Sequence, residues 1–114
     1  TTVKLINKED GQINWNDSAE LIERKIRAYQ PWPGAQTLWQ GQRLKLISGE
    51  VTHESPTQIG TVWLTPDNYP AVSTGQGSLK ITGLQLEGKA VVSGRDFLLG
   101  RPSLIGATLH SALV

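Results

Sequence analysis

At 114 residues the chain is one domain, with 38% hydrophobic and 18% charged residues, a balance that suits a packed globule and excludes a disordered chain. It has no cysteine, which excludes disulfides and thiolate chemistry, and its net charge of +1 does not by itself point to nucleic acid. No apolar run approaches the ~20 residues of a membrane span and no signal peptide is visible. Methionine is missing too, even at position 1, so the expectation is a fragment or trimmed product whose active parts lie elsewhere.

Residues 1–15 carry short apolar pieces (Val3, Leu5, Ile6, then Ile13 and Trp15) around an Asp10-Gly11 turn signal, and read as an extended leading segment. From Asp17 a helix is predicted. Asp17 is placed to cap it, with Glu20 three residues on, the spacing of a capping box. Ala19, Ile22, Ile26 and Tyr29 then recur at helical spacing and make one apolar stripe. Gln30 precedes Pro31 and is biased away from helix, so the helix should end near Tyr29. Pro31-Trp32-Pro33-Gly34 follows as a stiff corner.

Beyond the corner the pattern is of short strands. They are predicted over 36–40, over 43–47 with a continuation to Val51, over 61–64 with Val62 and Leu64 in phase, over 71–74, and over 78–86. Gln40-Gly41, Pro66-Asp67-Asn68 and Gly75-Gln76-Gly77 supply the turns. In the last strand Leu79 and Ile81 are odd-numbered whereas Leu84 and Leu86 are even-numbered. The inward phase flips at Gly83, which predicts a bulge or sharp bend of the kind that turns barrel corners. Ser93 and Asp96 begin a second, brief helix that Gly100 and Pro102 stop. The tail from Leu104 is expected to pack back on the strands. The fold class expected is mainly β with one longer and one short helix, a small antiparallel Greek-key barrel of OB-fold type.

Arg24-x-Ile26-Arg27-Ala28-x-x-Pro31-Trp32-Pro33-Gly34-Ala35 resembles the signature of the C-terminal domain of methionyl-tRNA formyltransferase. Lys8-Glu9-Asp10-Gly11-Gln12-Ile13-Asn14-Trp15 resembles that domain's opening, Gly60-Thr61-Val62 one of its strands, and Asp96-Phe97-Leu98-Leu99-Gly100 its closing motif. The likeness runs over nearly the whole chain in the family's order. It implies that residues 1–15 arrive as a linker from an N-terminal catalytic domain and that 16–114 form the barrel. It implies a parent enzyme that formylates the methionine on initiator tRNA, with 10-formyltetrahydrofolate as donor and an Asn-His-Asp set, all in that other domain. A bacterial cytoplasm or an organellar matrix is the compartment it implies.

Little in the chain itself looks catalytic, and no catalytic residue is assigned. His53 and His110 are the only histidines and no further ligand accompanies either, so no metal site is expected. Gly75-x-Gly77 lacks a third glycine and a following helix, and reads as a hairpin turn, not a phosphate loop. The basic residues are the candidates for contact with tRNA phosphates. Arg43 and Lys45 share one face of a strand, and Lys80 is expected on the same sheet surface. Arg24, Lys25 and Arg27 lie on the helix away from its apolar stripe. Glu20 and Glu23 stand four residues before Arg24 and Arg27, so an ordinary solvated helix face gives the same pattern. A charged outer strand face that only blunts aggregation is likewise open for Arg43 and Lys45. Of Trp15, Trp32, Trp39 and Trp63, core and corner packing is the expected use, with one stacking platform as the alternative.

The reading is a non-catalytic tRNA-binding domain whose partners are initiator tRNA and its own N-terminal domain, monomeric and unassociated with membranes, with no cofactor held in this chain. Two alternatives stand beside it. One is the equivalent domain of a sugar-nucleotide formyltransferase or a formyltetrahydrofolate dehydrogenase, shaping a small-substrate site. The other is a docking or oligomerisation module.

Overall fold

The computed structural model describes residues 11–30 and 34–110. Helix α1 (Ala19–Ala28) opens on Ser18, whose side chain accepts from the Leu21 N–H at 3.2 Å. The cap is therefore Ser18 and not Asp17. Asp17 is drawn into the preceding turn, its N–H donating to the Asn14 carbonyl. Ala19, Ile22 and Ile26 are buried and pack α1 on the sheet, whereas Tyr29 is the C-cap and only half-buried. Full burial of Ile22 and Ile26 contributes roughly 1.5–3 kcal/mol each. Gly34 follows the corner at a φ of +80°, and the expectations for Pro31, Trp32 and Pro33 lie outside the described residues.

Strands β1 (Ala35–Trp39) and β2 (Gln42–Thr52) form a hairpin around Gln40 and Gly41, both at positive φ. β2 runs unbroken for 11 residues, and its Leu44 and Leu46 are fully buried. A long connection leads to β3 (Val62–Leu64), which pairs antiparallel with β4 (Pro70–Ser73), and β4 in turn with β5 (Ser78–Leu86). β5 then returns to lie beside β2, giving the order β1-β2-β5-β4-β3. Three strands joined by hairpins, with a fourth brought beside the last by a long connection, make a Greek key. The turn from Pro66 to Asn68 falls between β3 and β4 as expected, and Asn68 takes a φ of 68°. Leu64 departs from its expected phase: it is 49% exposed while Val62 is buried.

The phase flip in β5 has a clear physical origin. Leu46 faces Leu84 and Ser48 faces Gly83, but Gly49 faces Ile81, so each strand carries one extra residue there, Ile47 on β2 and Thr82 on β5. Leu79, Ile81, Leu84 and Leu86 all turn inward across the break. Gly83 suits the crossing, because a Cβ there would lie 2.8 Å from the Ser48 hydroxyl and force it to shift. That hydroxyl is held 2.7 Å from the Thr82 hydroxyl.

A sixth strand, β6 (Val91–Ser93), pairs with β5 and was not expected from the sequence. Its three residues are too few to carry a period, and Val91 is exposed. Ser93 caps α2 (Gly94–Gly100) by accepting from the Asp96 N–H at 3.1 Å. A single 3-10 turn, Pro102–Leu104, leads into the tail. The tail reaches both edges of the sheet. His110 exchanges backbone bonds with Leu38 of β1, Leu109 donates to the Gly60 carbonyl, and the carbonyl of Ala107 accepts from Val62 of β3. One segment bonded to both β1 and β3 closes the sheet into a barrel and covers those two edges.

The core includes Ile22, Ile26, Leu46, Leu79, Ile81, Leu84, Phe97, Leu104 and Leu109. Ile13 and Trp15 belong to it as well, at 1% and 5% exposure, and Ile13 donates its N–H to the Gln36 carbonyl. Ile13 and Trp15 thus pack with the strands and helices that follow them. Trp15 donates to the Thr37 hydroxyl at 3.0 Å, Trp39 meets Phe97 edge to face, and half-buried Trp63 donates to Ser78. The three described tryptophans are therefore occupied in packing. Among the described residues no helix is long and apolar enough to cross a membrane, and no group of three or more His, Asp or Glu is placed to hold a metal ion.

Candidate nucleic-acid interface

The basic residues singled out from the sequence fall into three separate places. Arg43 and Lys45 occupy the first half of β2, with Leu44 and Leu46 inward and the two cations outward and half-buried. Alternation on a strand dictates this arrangement. Lys45 lies across from Gln36 on β1 and from Gln85 on β5. These residues, with Glu87 and Gly88, line a shallow groove of about 230 Å³. Arg43 and Lys45 are cationic donors of the kind that phosphate oxygens accept from. Glu87 on the far wall is an acid that alternation along β2 does not reveal. It comes from the end of β5, where its N–H donates to the Arg43 carbonyl.

Lys80 does not share that surface. It pairs with Glu50, beyond the bulge, five residues along β2 from Lys45 and so roughly 16 Å away. Its ammonium is bonded to Asp67 at 2.5 Å and lies 4.7 Å from the centroid of the Tyr69 ring. The hydrogen bond to Asp67 raises the Lys80 pKa, and the bonds from Lys80 and Thr65 lower that of Asp67. Lys80 is thus bonded to one acid and stands across the sheet from another.

On α1 the three cations diverge. Arg27 is bonded to Glu23 at 2.7 Å, the i,i+4 pair read from the sequence. Lys25 turns back to donate to the Gln12 carbonyl. Arg24 is exposed and, among the described residues, forms no ion pair with Glu20. Of the two i,i+4 pairs read from the sequence, Glu23–Arg27 forms on α1.

Sequence reasoning missed Tyr69 and Arg95. The Arg95 guanidinium lies 5.6 Å from the Tyr69 ring centroid, over a cavity of about 530 Å³ between the β3–β4 turn and α2. No periodicity or motif links two residues 26 apart; the fold alone brings them together.

The chain is of the class of small Greek-key barrels with a flanking helix and a basic groove on one strand. Over residues 5–102 the sequence matches the family described as formyl transferase, C-terminal domain, and the chain belongs to that family. Its relatives include methionyl-tRNA formyltransferase of Chloroflexus aurantiacus (strain ATCC 29366 / DSM 635 / J-10-fl), 40% identical over 102 residues, covering 88% of this chain and 33% of that protein. The enzyme of the same name from Roseiflexus sp. (strain RS-1) is 41% identical over 102 residues, covering 88% of this chain and 31% of the relative. The chain spans about a third of the length of these relatives. Among solved structures, HypX from Aquifex aeolicus in complex with tetrahydrofolic acid superposes with a TM-score of 0.69 at 21% identity, over 82% of this chain and 17% of HypX. At that identity the likeness speaks to the fold.

Proposed function

We propose that this chain is the non-catalytic C-terminal domain of a methionyl-tRNA formyltransferase, and that it holds tRNA through backbone contacts while another domain transfers the formyl group. The observation that carries the reading is the Arg43/Lys45 groove on β2, in a chain whose relatives bear that enzyme's name. The partners are initiator tRNA and the enzyme's own catalytic domain, which takes its formyl group from 10-formyltetrahydrofolate. The setting is the bacterial cytoplasm or an organellar matrix, and the enzyme acts as a monomer. Phosphates carry no sequence, so the groove supplies affinity and orientation and leaves the choice of tRNA to the other domain.

Arg43 and Lys45 together neutralise about two phosphates, which corresponds to a log–log salt slope of roughly −2. A domain of net charge +1 binds weakly on such contacts alone, with a dissociation constant on the order of 10⁻⁴ to 10⁻⁵ M at low salt. The test is an NMR titration with tRNA at low salt. Amide shifts at 43–46 and 85–88, similar for different tRNAs, support the reading. Strong preference for one elongator tRNA, or no shifts up to millimolar RNA, overturns it.

A further inference from the structure

The cavity between the β3–β4 turn and α2 lies on a different part of the barrel from the Arg43/Lys45 groove and has no part in the phosphate contacts just described. We infer that it takes one unpaired nucleobase, stacked on Tyr69. The inference rests on the RNA-binding reading and extends it from phosphates to a base.

The size is right. About 530 Å³ falls in the range of small-ligand sites and accommodates a purine or pyrimidine with its ribose. The lining is apolar where a ring face would lie, with Leu64, Leu98 and Ile105 contributing. Leu64 is 49% exposed and the neighbouring Leu99 84% exposed, so this lip is left uncovered by the rest of the fold. Tyr69 is half-buried and its ring is fixed from outside the cavity by Lys80, itself bonded to Asp67. Arg95, which does line the cavity, sits near the same ring and is exposed, so its guanidinium is able to swing over an incoming base. Tyrosine and arginine side by side make the sandwich that single-stranded binders use, because every base has a π-face.

The rim carries hydrogen-bonding groups of both kinds. The Asn68 side chain offers a donor and an acceptor, and Asn68 stands at a φ of 68° in the turn. The exposed Asp96 carboxylate is an acceptor for a base amino or imino group. Neither side chain makes a hydrogen bond within the described residues. Asp96 and Leu99 belong to the Asp96–Gly100 motif. Its Phe97 is accounted for by packing on Trp39 and its Asp96 also by the first turn of α2, whereas packing leaves the exposed Leu99 unexplained.

The test compares a single-stranded RNA hexanucleotide of mixed sequence with an abasic ribose-phosphate chain of the same length, both titrated into the labelled protein at low salt. The expected result is that the hexanucleotide shifts the amides of Asn68, Tyr69 and 95–99 and the abasic chain does not. Tyr69→Ala should weaken hexanucleotide binding by about fivefold or more, Tyr69→Phe should retain it, and Arg95→Ala should weaken it with the fold intact. Equal shifts from the abasic chain overturn the inference. So does concentration-dependent broadening of these amides without RNA, which would mean that the apolar lip is a protein contact. Shifts confined to 43–46 and 85–88 overturn it while sparing the phosphate reading. Shifts at the cavity with a tRNA salt slope insensitive to Arg43 and Lys45 uphold it and remove the phosphate face.

Discussion

The two ends of the β2–β5 ribbon carry similar residues and present opposite surfaces. Before the bulge, Arg43 and Lys45 stand beside Gln36, Gln85 and Glu87. After it, Lys80 faces Glu50 across the sheet and is bonded to Asp67 from the β3–β4 turn. The difference comes from what the fold brings alongside each end. The early end neighbours β1, whose outward residue opposite Lys45 is an amide. The late end neighbours a turn rich in acid and hydroxyl groups. What surrounds a basic residue on a strand face depends on which elements lie beside it, and adjacency is a property of topology.

The largest effect that bears on this comparison is on the ribbon itself. Leu46 and Leu84 face each other beside the bulge and are fully buried. Truncating either to Ala should cost about 2–5 kcal/mol, read from urea unfolding, and should loosen both ends together. A cost below about 1 kcal/mol would mean that the ribbon is not the spine of the barrel.

A smaller loss is expected at the bulge. Gly83→Ala brings a methyl against the Ser48 hydroxyl and should cost about 1–2 kcal/mol. In a Ser48→Gly background the added cost of the methyl should fall, since the opposing atom is gone. An undiminished cost there would locate the constraint in the backbone.

The Asp67–Lys80 pair allows a subtler test. Lys80 holds the Asp67 carboxyl below its ordinary value of 3.8, so the pair's contribution is complete above that pH and is lost as pH falls through the lowered pKa. At the alkaline end it is lost as pH rises past the Lys80 value, which lies above 10.5. An NMR titration of the Asp67 side chain should give a midpoint under 3.8, moving up toward it in Lys80→Ala. A midpoint at or above 3.8 in the parent chain would mean that the pair is not formed.

Much of this architecture was legible because it is written locally. The stripe Ala19, Ile22, Ile26 located α1, the alternation in β2 located its two faces, and the parity change at Gly83 located the bulge. Errors arose where one residue decided among neighbours, as when Ser18 rather than Asp17 caps α1, or where an element is as short as β6. The candidate surface was legible only in part. Arg43 and Lys45 share a face by alternation alone, but their distance from Lys80 depends on register across a bulge. The partners that occupy Lys80 and Lys25 come from segments 13 residues away in each case. Tyr69 and Arg95 are joined by no sequence pattern whatever.

The central claim is that the early end of the ribbon, and not the late end, meets RNA phosphates. The most direct measurement is the salt dependence of tRNA binding for three proteins: the parent chain, the double variant Arg43→Ala/Lys45→Ala, and Lys80→Ala. The account predicts a slope of roughly −2 for the parent, flattened by about two in the double variant and unchanged within about half a unit in Lys80→Ala. An unchanged slope in the double variant, or a flattening in Lys80→Ala as large as in the double variant, would contradict it.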